Sequence, residues 1–197
     1  MIKYKNITLN YERRHLFDSF SIDIMPNEQV CFAGPSGRGK TTLLKMIPAL
    51  VIPDSGEIII DGMPMDSLNT KTIRRQITWI PQNINLSVDT AAELCTLLHL
   101  DDKKEIISTY INKLGLDDSY FDKLFADISG GEKQRVVIAV TLAKDKPIIV
   151  MDEPTSALDK KSIGLLSELI ASLEGKTVVS ASHNQQWLEQ TGRVIEI

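Results

Sequence analysis

Hydrophobic and polar positions follow two rhythms along this chain. Ile7, Leu9 and Tyr11 alternate with polar residues, as do Phe20, Ile22 and Ile24. A period of two predicts strands with one solvated face, and hence an antiparallel start. Four short apolar runs rich in β-branched residues follow, at 30–33, 77–80, 148–151 and 178–181, each leading into helix-forming sequence. Such alternation predicts a parallel sheet covered by helices. A last run occupies residues 194–197, and residues 57–60, bracketed by Gly56 and Gly62, add a strand to the antiparallel layer. Between Thr90 and Phe125 the rhythm becomes helical, with Leu94, Leu97 and Leu98 on one face and Ile106, Ile107, Tyr110, Ile111 and Leu114 on another. This predicts a helical insertion. The expected class is α/β: a parallel-sheet core with an N-terminal antiparallel β layer and an inserted α-helical subdomain.

Composition narrows the picture. A chain of 197 residues fits one domain, and neither an internal repeat nor a low-complexity linker divides it. No stretch approaches the ~18 apolar residues of a membrane-spanning helix. The N-terminal residues run into polar alternation rather than an apolar leader, so the expected location is the cytosol. Cys31 and Cys95 form no CxxC pattern and read as buried thiols rather than disulfide partners or metal ligands. With 22 Lys and Arg against 26 Asp and Glu, the net charge of −4 lacks the basic footprint of a nucleic-acid binder. A bound polyanion must be held by a local device.

In open parallel sheets, ligands bind at the carboxyl ends of the strands. The first apolar run ends in Gly34-Pro35-Ser36-Gly37-Arg38-Gly39-Lys40-Thr41-Thr42, the second in Pro81-Gln82, the third in Asp152-Glu153-Pro154 and the fourth in Ser182-His183. All four deliver polar groups to one edge. The first fits G-x-x-x-x-G-K-[ST], which arises by chance about once per 80,000 positions at equal residue frequencies, so a plain glycine turn is a poor account of it. Its glycines let backbone N–H groups curl around phosphate oxygens while the following helix aims its positive end at the same charge. Lys40 reaches the β- and γ-phosphates, and Thr41 offers a hydroxyl to Mg²⁺. Asp152, at the end of an apolar strand, is placed to serve the same ion, and the adjacent Glu153 can accept a proton from a water attacking the γ-phosphate.

Ser129-Gly130-Gly131-Glu132 reads as a capping box that opens a helix. That explains the serine and the glutamate. It does not explain two consecutive glycines, which weaken a helix start unless the backbone must approach something closely. A serine, bare amides and a helix N-terminus make a second anion site.

Together these residues resemble the nucleotide-binding subunit of an ATP-binding cassette (ABC) transporter, over essentially the whole chain. Residues 34–42 resemble the Walker A motif, 77–82 the strand into the Q-loop, 128–135 the family signature, 148–153 the Walker B strand and 156–159 the D-loop, and His183 resembles the switch histidine. Tyr11 is similar in position to the family's adenine-stacking aromatic. Glu132, Val140 and Asn184 depart from the commonest letters.

The resemblance implies a P-loop NTPase core (1–82 and 136–197) with a helical subdomain at about 83–135. It implies ATP and Mg²⁺ as ligands: Tyr11, Gly34 to Thr42 and Lys40 on the nucleotide, Thr41, Gln82 and Asp152 on the metal, Glu153 polarising water and His183 steadying the γ-phosphate. Two copies close head to tail, so that Ser129, Gly130 and Gly131 reach the partner's ATP and Asp159 communicates across the dimer. A homodimer is expected, peripheral on the inner face of the cell membrane through a separate permease, with Gln82 coupling to the helical subdomain and export the expected direction. Two other classes fit the same letters: a cassette driving a membrane signalling complex without transport, and a soluble cassette ATPase.

Overall fold

The computed structural model describes residues 1–11 and 14–197. β1 (Ile2–Tyr11), β2 (Arg14–Ile24), β4 (Ser55–Ile60) and β5 (Met63–Pro64) form an antiparallel sheet in the order β2-β1-β4-β5. Of the alternating positions, Ile7, Leu9 and Ile24 are buried and Phe20 and Ile22 half-buried, and Ile2 and Tyr4 also point inward, out of phase with Ile7 across a register shift in β1.

The second sheet contains β3 (Gln29–Ala33), β6 (Ile77–Ile80), β7 (Ile148–Asp152), β8 (Thr177–Ala181) and β9 (Arg193–Glu196), in the order β6-β7-β8-β3-β9. All its neighbours are parallel. β7 and β8 are buried at every position, which is why their sequences run apolar instead of alternating.

Two cores flank this sheet. Ile148 and Val150 face one, shared with Ile2, Tyr4, Ile24 and Leu43 of the antiparallel side, while Ile149 and Met151 face the other, shared with Val136, Ile138 and Leu166. Alternate strand residues point to opposite faces, so β7 nails both cores together. Each fully buried aliphatic side chain contributes about 1.5–3 kcal/mol. On the first side the Tyr4 hydroxyl donates to the Leu43 carbonyl at 2.8 Å, tying the antiparallel sheet to α1 (Lys40–Met46).

After α2 (Thr70–Arg74), the helical layer comprises α3 (Ala91–Leu97), α4 (Lys104–Lys113) and α5 (Gly130–Leu142). Its faces differ in two places from the sequence expectation. Leu97 is 55% exposed and Ile106 38% exposed. The inward stripe of α3 is Ala91, Leu94, Cys95 and Leu98, and that of α4 is Ile107, Ile111 and Leu114. A spacing of three and four leaves Leu97 and Ile106 outside the stripe. α5 runs unbroken from the helical layer into the second core, burying Val136 to Leu142. α6 (Lys160–Ala171) and α7 (Gln185–Gln190) complete the cover. Both cysteines are free and buried, as expected. Among the described residues no helix is long and apolar enough to cross a membrane.

Candidate functional site

The loop after β3 is shaped by three glycines with positive φ: 134° at Gly34, 81° at Gly37 and 92° at Gly39. Packing restricts two of them further. A β-carbon at residue 34 would stand 2.6 Å from the Ile197 carbonyl oxygen, and one at residue 39 would stand 2.6 Å from Cζ of Phe17. Gly37 meets nothing, so only its backbone conformation requires glycine. Pro35, Ser36 and Arg38 are exposed, whereas Lys40 is buried. Its ammonium donates to the carbonyls of Gly34 at 2.7 Å and Pro35 at 3.0 Å. The loop thus holds a positive charge against two of its own carbonyls.

Across the cleft, the Thr41 hydroxyl donates to Oδ1 of Asp152 at 2.8 Å. Asp152 is 4% exposed. Burial raises its carboxyl above the ordinary carboxylate range, and the Thr41 hydroxyl works against that shift. The next residue, Glu153, has φ 45°, a left-handed conformation unusual for a side chain of its size and followed immediately by Pro154. Its amide still donates to the Ala181 carbonyl at 2.9 Å, extending the β7–β8 ladder by one residue. Oε1 of Glu153 lies 3.0 Å from Nδ1 of His183, and Ser182 Oγ donates to Oε2 at 3.4 Å. The His183 side chain is 71% exposed, so one face of this pair is open to the cleft. Gln82, Thr42 and Leu16 complete the lining of a cleft of ≈ 780 Å³.

Ser129, Gly130 and Gly131 stand elsewhere. Gly130 borders a smaller groove of ≈ 320 Å³ with Ser156 and Ala157, and Gln82 lines both. The expected capping box is present: Ser129 Oγ accepts from the Glu132 amide at 3.3 Å, and Glu132 Oε2 accepts from the Ser129 amide at 2.8 Å. The Tyr120 hydroxyl donates to the other oxygen of Glu132. That bond and the Ser129 contacts hold the Glu132 carboxyl at about 2. The two glycines differ: a β-carbon at residue 131 would come 2.6 Å from the Ala157 carbonyl, while one at residue 130 would meet nothing. Gly131 is therefore required by packing within the chain, and Gly130 faces open space. Asp159 caps α6, accepting from the Ser162 amide at 2.7 Å, which lowers its carboxyl. The side chain of Tyr11 lies outside the described residues.

Sequence reasoning overlooked Leu16, Phe17 and Tyr120, and placed Ser182 on the carboxyl edge without giving it a role. Phe17 and Tyr120 carried no local signal, because their partners lie on other elements. Ser182 was visible as the polar residue between a buried strand and His183.

A glycine-shaped loop, the Thr41–Asp152 hydroxyl–carboxylate pair and the Glu153–His183 pair thus meet on one sheet edge. The family model for the ABC transporter matches residues 17–156, and the chain belongs to that family as an ABC ATPase cassette. It is 32% identical to an ATP-dependent lipid A-core flippase of Cupriavidus metallidurans and 30% identical to that of Ralstonia nicotianae, each over 98% of this chain. The chain spans about a third of the length of these relatives, 35% and 36%. Among solved structures, it is similar to a dimeric bacterial ABC transporter cassette, MJ0796, at 31% identity and TM-score 0.85, covering 100% of this chain and 94% of that one. The same cassette is known in a dimeric post-hydrolysis state bound to ADP and Pi. An Atm1-family ABC exporter with ATP bound matches at 25% identity and TM-score 0.86, over 36% of its chain.

Proposed function

We propose that this cassette binds ATP with Mg²⁺ in the Lys40 cleft, hydrolyses it through Glu153, and powers solute movement by a separate membrane permease. One observation carries the chemistry: the Glu153 carboxylate, 3.0 Å from His183, shares a cleft with Lys40 and the glycine loop. The loop amides and Lys40 bind phosphate, with the ammonium exchanging its two carbonyl partners for phosphate oxygens. Thr41 and Asp152 suit Mg²⁺, since their hydroxyl and carboxylate oxygens lie 2.8 Å apart and are hard donors. Gln82, on the same cleft, is the further ligand. When bound, the ion supplies charge neutralisation on the phosphate oxygens.

Glu153 takes the proton of the attacking water. Its fixed backbone and the Ser182 hydroxyl orient it, and His183 steadies the γ-phosphate from the exposed side. Tyr11 stacks on adenine.

Ser129 and the Gly130 and Gly131 amides serve the nucleotide of a second copy, in a head-to-tail homodimer that ATP assembles. They do not line the chain's own cleft, and this, the open space at Gly130 and the dimeric state of the related cassette support the reading. Asp159, at the start of α6, faces that dimer. Residues 1–82 and 136–197 act as the core and about 83–135 as the subdomain that meets the permease, through Gln82. The cassette works at the inner face of the membrane, in the direction of export, a reading supported by its similarity to the flippases.

The test is Glu153→Gln. ATP binding should persist, turnover should fall by at least about 100-fold, and a nucleotide-bound dimer should accumulate on size exclusion. Normal turnover would refute the role of Glu153.

A further inference from the structure

The turn that begins with Glu153 is held from outside the carboxyl edge. Gln134, near the start of α5, is 4% exposed, and both ends of its amide are engaged. Nε2 donates to the Pro154 carbonyl at 3.0 Å, and Oε1 accepts from the Ala157 amide at 3.3 Å. One turn earlier on the same helical face, Gly131 lets the Ala157 carbonyl come within 2.6 Å of where a β-carbon would be. On the far side, Arg135 donates to the Ser162 hydroxyl, and Asp159 caps the same residue's amide. Within the turn, Ser156 N–H bonds the Glu153 carbonyl at 3.2 Å and Leu158 N–H bonds the Thr155 carbonyl at 3.1 Å. A turn closed by its own hydrogen bonds and gripped at both ends moves as a unit. Its first residue carries the carboxylate assigned to hydrolysis.

We propose that Gln134 is a positioning residue: it clamps residues 154–157 to α5 and so fixes the Glu153 carboxylate against His183. The inference rests on the role proposed for Glu153. A buried amide whose two partners are both backbone atoms of one turn sets the location of that turn, because loss of either bond strands a buried polar group. Gln134 also shares the first turns of α5 with Ser129, Gly130 and Gly131. Whatever displaces the N-terminal end of this helix is delivered to Glu153 through one side chain. The anion site at the helix start and the hydrolytic carboxylate, on separate grooves, are thereby mechanically joined.

Gln134→Met removes both hydrogen bonds at nearly constant volume, and Gln134→Glu removes the donor to Pro154. In the full chain, each variant should lower kcat for ATP hydrolysis about tenfold with KM for ATP close to the parent's, while the melting temperature falls as the stranded backbone groups lose their partners. On a Glu153→Gln background, Gln134→Met should cause no further loss in single-turnover hydrolysis, because the two residues act through one group. An unchanged kcat, an equal loss on both backgrounds, or failure of both variants to fold would overturn the clamp. If Glu153→Gln itself turns over normally, the assignment of Glu153 fails instead, a result distinct from a Gln134 variant that is fully active beside an inactive Glu153→Gln.

Discussion

Glu132 illustrates how much one side chain can gather. Its two oxygens receive the Ser129 amide, the Ser129 hydroxyl and the Tyr120 hydroxyl, so it is at once a helix cap and a tether to the segment before the signature. These donors favour the ionised form and take the carboxyl from 4.5 to about 2. A lowered folded-state pKa contributes stability that is fully present above pH 4.5 and lost as pH falls towards about 2. Glu132→Gln should therefore be less stable than the parent at neutral pH, by under about 1 kcal/mol at this partly exposed position. The difference should close as the solution is acidified, which thermal melts across that range would read.

At the scale of elements, the phosphate loop depends on a strand of the other sheet. Phe17 on β2 presses against Gly39, and residue 39 also has φ 92°. Gly39→Ala should cost about 2–4 kcal/mol, summing left-handed strain and overpacking. Gly37→Ala, which has strain alone, should cost about 1–2 kcal/mol. Urea unfolding would rank them, and Phe17→Leu should recover part of the Gly39→Ala loss if the ring is the obstacle.

The same contact marks where the sequence stopped being readable. The glycine loop, the carboxylates at 152 and 153 and the buried strands were legible because each is a local run whose residue types answer a local demand. So was the capping box at Ser129. The pressure of Phe17 on Gly39, or of Ala157 on Gly131, depends on how separate elements stack, and no spacing along the chain encodes it. Leu97 shows the same limit in a helix: three leucines suggest one face, and only the packed neighbours decide which of them turns outward. Gln134 lies in the helix that the capping box opens, and a polar side chain within a helical pattern gives no sign that its amide closes on a turn twenty residues later.

For the whole molecule, β7 is the shared wall. Val150 and Met151 are fully buried on opposite faces, in different cores. Val150→Ala and Met151→Ala should each destabilise by about 2–4 kcal/mol. Both should shift a single cooperative transition rather than melt one side alone, since the strand belongs to both cores. Coincident circular-dichroism and tryptophan-fluorescence curves would establish this, and separated transitions would contradict it.

The order of the parallel sheet also governs how the protein comes into being. β3, which launches the phosphate loop, has β8 and β9 as its neighbours among the described residues, and both lie far downstream of it in the chain. At elongation rates of roughly 5–20 residues per second, the loop waits on the order of ten seconds for its flanking strands. During that interval the early antiparallel strands can pair among themselves, but β3 has no strand to bond and the loop has no frame. A nascent chain halted before β8 thus carries the whole phosphate-loop sequence without the frame that shapes it.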